Sequence, residues 1–173
     1  MKKLTAIIIL SLLIISCNTQ KKKDISLNQE STLIDTTPRV TGIGGIFFKS
    51  KNPQVVKDWY GKNLGLAIDK YGSTFEFRNS IRPDEINYLQ WSPFGQETDY
   101  FKPSEKEFMI NYRVQNIEGL IRKLKKNGVT IVDTIQKFDY GKFVHIMDNE
   151  GNKIELWEPV DSVLTKIGAK TNK

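Results

Sequence analysis

From residue 40 onward the chain alternates short apolar runs with polar breaks, and the breaks carry start and stop signals. Residues 43–49 are rich in Ile and Phe and predict a strand. Asn52-Pro53 predicts a helix start: Asn accepts a bond from a free N–H group of the first turn, and Pro is pre-set for the first helical position. Val55, Val56, Trp59 and Tyr60 make one apolar stripe, which places Trp59 and Tyr60 at a helix–sheet interface. Asn63-Leu64-Gly65 ends this helix. Strands are predicted at residues 66–71, 74–78 and 86–91, with a turn at Gly72 and a loop at Arg82-Pro83-Asp84.

The same order then returns. Residues 108–114 predict a strand, and Asn116 caps a helix with Ile117, Leu120, Ile121 and Leu124 on one face. Its other face, with Arg122, Lys123, Lys125 and Lys126, reads as solvated. Asn127-Gly128 closes the helix, and strands follow at 129–136, 141–147 and 153–158. Shifted by 64 residues, Ile46 meets Ile110, Phe48 meets Tyr112, Lys49 meets Arg113 and Asn52 meets Asn116. Lys62 likewise meets Lys126, and Asn63 meets Asn127. A repeated order with sparse identity predicts a duplicated βαβββ unit, hence an α+β domain over 38–160 with modules at about 40–98 and 106–160.

Ahead of this body, Lys2 and Lys3 precede an apolar run from Leu4 to Ile15, too short to span a bilayer and suited to an export signal. The run ends in Ile14-Ile15-Ser16-Cys17, which resembles the lipobox of bacterial lipoproteins. That resemblance implies a signal peptide over 1–16, lipidation of Cys17 and a place outside the cytoplasm, anchored in the bacterial cell envelope. Residues 17–37 lack periodicity and read as a tether, with Lys21, Lys22 and Lys23 at the bilayer surface.

Charge sharpens this division. The 173 residues carry +6, but residues 1–23 hold +5 and the basic tail at 161–173 holds +2, leaving −1 for the body. A near-neutral body lacks the basic face that phosphate backbones require, so no nucleic-acid partner is expected. One Cys excludes an intrachain disulfide framework and Cys-rich metal sites. No GxSxG elbow, P-loop, GxGxxG after a strand, HExxH or Cys–His pair is present.

The repeated order, Leu64-Gly65-Leu66 after the first helix and the run from Asp148 to Pro159 (DNEGNKIELWEP) together resemble the vicinal oxygen chelate superfamily of glyoxalase I, bleomycin-resistance proteins and extradiol dioxygenases. The resemblance implies two modules whose mixed sheet curls into a cup, with helices on the convex side. The structural alternative is a ferredoxin-like domain, whose βαββαβ order places the second helix differently. In metal-dependent members four ligands come from matching strand positions, which fall here on Gly45, Gln90, Met109 and Glu155. Only Glu155 is a good ligand and Gln90 offers a neutral oxygen, so no cofactor is firmly implied. A displaced divalent-metal site would need Glu76, His145 and Glu155 together.

Strand alternation assigns the cup lining. Phe47, Tyr88 and Gln90 face inward from the first module, with Glu76 and Arg78 alternating against core Phe75 and Phe77. Met109, Asn111 and Arg113 face inward from the second, followed by His145 between core Val144 and Ile146, then Glu155 and Trp157. A few polar groups in an aromatic-walled recess suit a small-molecule ligand. The leading expectation is a lipid-anchored binding protein; the alternative is a lyase or isomerase with Glu155 as base and His145 or Arg113 as electrophilic partner. Plainer roles stand beside these: His145 as a hydrogen-bonded strand residue, Glu155 as a salt-bridge partner of Arg113, Trp91 and Trp157 as interface or cup wall. Expected partners are a small molecule and, through the lipid, the membrane. A homodimer is a compatible assembly, and an envelope module that recruits another protein is the third reading.

Overall fold

The computed structural model describes residues 35–168 and 170–173. The expected export signal, Cys17 and nearly all of the tether lie outside the described residues. The element order is β1 (Arg39–Ser50), α1 (Pro53–Leu64), β2 (Ser73–Arg78), β3 (Ile86–Gly95), β4 (Phe108–Gln115), α2 (Ile117–Lys126), β5 (Gln136–Phe138), β6 (Gly141–Met147), β7 (Lys153–Pro159) and α3 (Asp161–Ile167). All seven strands join one mixed sheet, ordered β2-β3-β1-β4-β7-β6-β5.

The duplication becomes a register. β1 and β4 pair antiparallel with Ile46 opposite Ile110, so residues related by the 64-residue shift sit around a local two-fold axis. Each central strand has a parallel neighbour from its own module, β3 beside β1 and β7 beside β4. The α+β expectation of tandem modules sharing one mixed sheet is met.

α1 and α2 pack unequally. α2 presents Ile117, Leu120 and Ile121 to Val114, Val144, Ile146 and Leu156, which makes the larger core. α1 buries only Lys57, whose ammonium donates to the Lys70 carbonyl at 2.8 Å while its stem lies against the sheet. The helix is thereby rotated from the expected stripe. Val56, Lys57, Tyr60 and Gly61 face inward, whereas Val55 and Trp59 are exposed. Trp59 is therefore not a core residue. Tyr60 does pack inward, 4.6 Å from Trp91, which also meets Phe48 on this side of the sheet.

Both predicted helix caps form. Asn52 accepts from Val55 N at 3.2 Å, and Asn116 accepts from Gly119 N at 3.0 Å. Asn116 also adopts φ 54, a left-handed conformation that Asn tolerates better than residues without a short polar side chain. Asn52→Ala is expected to cost about 1 kcal/mol. Asn116→Ala should cost about 2 kcal/mol, because cap and conformation are lost together. Urea unfolding of the two variants checks the order; equal losses would remove the conformational contribution.

Two expected strands shrink to single bridges. At 66–71 only Ile68 pairs, with Ser73, because Asp69 turns the chain by accepting from Tyr71 N and Gly72 N at 2.8 Å. At 129–136 the bridge is Ile131 with Ile146, and Gln136 alone of that stretch enters a strand, as the first residue of β5. The next place in that ladder goes to a side chain: Asp133 Oδ1 accepts from His145 N at 2.8 Å. Phe77, expected in the core, lies half-exposed on the outermost strand.

The expected basic tail is not a simple appendage. Residues 161–167 form α3, and Asn172 pairs with β2, donating its N–H to Thr74 O and accepting from Glu76 N. Its side chain accepts from Ala67 N and donates to Ser73 Oγ. No helix among the described residues is long and apolar enough to cross a membrane.

Candidate functional site

Strand register builds the site. Burying Val144 and Ile146 under α2 turns His145 to the concave face, and the same alternation in β7 turns Glu155 and Trp157 there. His145 lies directly opposite Glu155, and Glu155 opposite Asn111 on its other side. Asn111 faces Gly45, and Gly45 faces Gln90. One polar row thus crosses the sheet, broken at Gly45. That break is filled: a Cβ on Gly45 would stand 2.6 Å from Phe47 Cζ, so the Phe47 ring occupies the space and separates Gln90 from Glu155.

The second-module half of the row is closely bonded around Glu155, leaving only Asn111 Oδ1 buried without a partner in this row among the described residues. Glu155, 3% exposed, accepts from Asn111 Nδ2 at 2.6 Å through one oxygen. Its other oxygen meets His145 Nε2 at 3.1 Å and takes a short bond from the Tyr100 hydroxyl. His145 Nδ1 lies 2.6 Å from Asp133. Burial alone would push the imidazole pKa down, but the bonds to Glu155 and Asp133 outweigh it and hold the pKa above the ordinary value. A ring with a carboxylate at each nitrogen is best matched as the doubly protonated cation, an acid rather than a free base. Burial, then the Glu155 charge, pushes the Tyr100 phenol well up, while burial pulls Lys153 down. Lys153 Nζ donates to the Tyr100 carbonyl at 2.7 Å, fastening Tyr100 to β7.

A recess of about 490 Å³ opens over the row, with Tyr100, Asp133, His145 and Glu155 as its polar floor. Phe138 and Tyr140 stack at 5.3 Å on one side, and Phe143 stacks on Trp157 at 5.7 Å. Tyr100, Asp133, Lys153 and this aromatic hairpin were not expected from the sequence. The available signals were a lone acid among Ile131, Val132 and Ile135, and the dense aromatics from Phe138 to Phe143.

The other expected lining residues disperse. Phe47 and Met109 are sealed in a cluster with Phe101, which the 96–107 connection drives into the cup. Gln90 bonds to Thr74 and Ser92. Tyr88 and Arg113 lie under α3, and Arg113 pairs with Asp161, not with Glu155 as expected. Trp91 belongs to the convex face, whereas Trp157 walls the cup beside Arg113 at 5.1 Å. Arg78 is exposed at the sheet edge, and Glu76 bonds Thr171 on the same strand, far across the sheet order from His145. Glu76, His145 and Glu155 therefore do not converge. Among the described residues no three His, Cys, Asp or Glu side chains are grouped to hold a metal ion.

No family model matches the chain. No curated protein matches it. Solved structures do. Methylmalonyl-CoA epimerase from Mycobacterium tuberculosis is 19% identical, with 78% of this chain and 99% of that one covered at a TM-score of 0.50. Methylmalonyl-CoA epimerase from Streptomyces coelicolor, solved in complex with 2-nitronate-propionyl-CoA, is 13% identical, with 70% and 99% covered at 0.52. At these identities the likeness is one of fold alone: the chain shares the α+β architecture of these epimerases, as the resemblance read from the sequence leads one to expect.

Proposed function

We propose that this is a small-molecule-binding protein of the envelope that uses the recess over His145 without a firmly held metal. The observation that carries it is the Asp133–His145–Glu155 row: a bonded polar floor under Tyr100, walled by stacked aromatic rings. Such a recess suits a ligand with a planar apolar body and a hydrogen-bonding head. The family's metal positions support the same reading. Gly45 has no donor, Met109 is fully buried with a soft thioether, and Gln90 is cut off from Glu155 by Phe47. One carboxylate, already holding three donors, does not fit a hard divalent cation.

An enzymatic use of the same floor is the second reading, favoured by the 3.1 Å contact between the His145 imidazole and Glu155. There a ligand that displaced Tyr100 would meet a carboxylate base beside an acidic imidazolium. Arg113 has no part in it, being held by Asp161. The Lys2–Cys17 segment supports lipid anchoring outside the cytoplasm.

The test uses the full chain, extracted from membranes in detergent. Metal content and melting temperature are measured with Mg²⁺, Mn²⁺, Ni²⁺ and Zn²⁺, then with a library of planar metabolites. No stoichiometric metal is expected. A true ligand at a hundred times its Kd should add about 2.7 kcal/mol of stability, and Tyr140→Ala with Phe143→Ala should remove that gain. Stoichiometric metal lost in Glu155→Gln would overturn the metal-free reading. Cys17→Ser should release the protein from membranes, and persistent attachment would refute lipidation.

A further inference from the structure

Arg113 is a second buried charge with a built setting, outside the His145 row. It is 4% exposed, its guanidinium lies 5.1 Å from the Trp157 ring, and Nη1 donates to the Tyr88 carbonyl at 3.2 Å. Both supports belong to the sheet, so Arg113 is positioned without help from the terminal segment. Its carboxylate is supplied from that segment: Asp161 Oδ2 accepts from Nη2 at 2.5 Å and from Asn87 Nδ2 at 3.2 Å.

The occupant is held less well than the site. α3 has seven residues, none of them buried, and its N-cap Val160 makes no side-chain capping bond. Its other side-chain tie to the sheet is the 2.8 Å bond between Thr165 and the Tyr88 hydroxyl. Asp161 Oδ1 is buried with no hydrogen-bond partner among the described residues, so the carboxylate uses half of its acceptor capacity. An open cavity of about 750 Å³ adjoins the pair and reaches Thr41, Asn79 and Arg82, which leaves room for a larger acid.

We propose that Arg113 and Asn87 form a carboxylate-binding site held in the resting chain by Asp161, and that a small organic acid takes this place when α3 withdraws. A free carboxylate can turn both oxygens toward the guanidinium fork, which a side chain tethered at the start of α3 does not do here. Trp157 links the two places: Arg113 lies against its ring, and Phe143 of the His145 recess stacks on it.

The experiment titrates the full chain with sodium benzoate, using sodium chloride at equal ionic strength as control. Asp161→Asn removes the internal carboxylate and should bind benzoate on the order of tenfold tighter than the parent, the worth of one charge-assisted hydrogen bond. Adding Arg113→Met to that variant should abolish the gain. Thr165→Ala leaves Asp161 in place but loosens α3, and should also tighten binding, which keeps the test open if Asp161→Asn folds poorly. In the parent, benzoate should speed trypsin cleavage after Lys166, because the segment is released. Equal benzoate affinity in parent, Asp161→Asn and Thr165→Ala, or melting shifts no larger than those with chloride, would overturn the site. Unchanged cleavage at Lys166 under saturating benzoate would overturn the withdrawal of α3.

Discussion

Phe101→Ala is expected to destabilise the protein by about 3–5 kcal/mol, the range for truncating a buried aromatic side chain. Phe101 is fully buried, and its ring packs against Phe47, Met109 and Phe94 from the connection between the two modules. The connection's other anchors are hydrogen bonds: Ser104 Oγ donates to Gly151 O at 2.6 Å, Lys49 N to Glu107 O at 2.7 Å and Lys153 Nζ to Tyr100 O at 2.7 Å. Removing the ring leaves a cavity over the β1–β4 seam and frees the neighbouring Tyr100, whose hydroxyl covers Glu155. Ligand affinity at the His145 recess should therefore fall with stability. Met109→Leu, a volume-conserving change in the same cluster, should cost under about 1.5 kcal/mol. Urea unfolding measures both; a loss below about 1 kcal/mol for Phe101→Ala would mean that the connection is not an anchor of the fold.

Glu155→Ala should be as severe, about 3–5 kcal/mol, since it breaks the buried pair with His145. Asn111 Nδ2, His145 Nε2 and the Tyr100 hydroxyl all lose their acceptor at once. The same row makes stability pH-dependent in a predictable direction. The folded His145 pKa lies above its ordinary value of 6.5, so the folded state binds the proton more tightly than the unfolded chain. Its contribution is complete below about pH 6.5 and is lost as pH rises through the folded pKa. Stability of the parent relative to His145→Gln should therefore decline from pH 6.5 upward. Because His145 is the only histidine, its imidazole resonances can be followed by NMR without assignment. Glu155→Gln should lower the observed pKa as burial takes over, and a parent value at or below 6.5 would contradict the clamped geometry.

What the sequence disclosed and what it withheld divide along physical lines. Local signals were readable because they act over three or four residues: Asn52 and Asn116 cap helices where their spacing placed them. The duplication was readable because corresponding residues, such as Ile46 and Ile110, keep their order and meet across the sheet. His145 and Glu155 were placed on the concave face because their neighbours Val144, Ile146, Ile154 and Leu156 were apolar at strand period. Tyr100 and Asp133 escaped notice because each comes from a segment without regular structure and gains its role only across the fold, over 55 residues to Glu155 and 12 to His145. The rotation of α1 depended on one lysine bonding a carbonyl 13 residues away, which apolar spacing does not encode. α3 carries no sequence signal for a related reason. It buries nothing, so it has no apolar period, and polar bonds to distant strands hold it.

The pairing of Asn172 with β2 bears on solubility. β2 lies at the end of the sheet, and a terminal strand with free N–H and C=O groups is a template for pairing with another molecule. Here Asn172 takes up part of that hydrogen-bonding side, while at the opposite end β5 is only three residues long. The sheet is guarded at one border by Asn172 and at the other by the brevity of β5. Another copy approaching border to border would have to displace Asn172 before its own backbone could pair with β2.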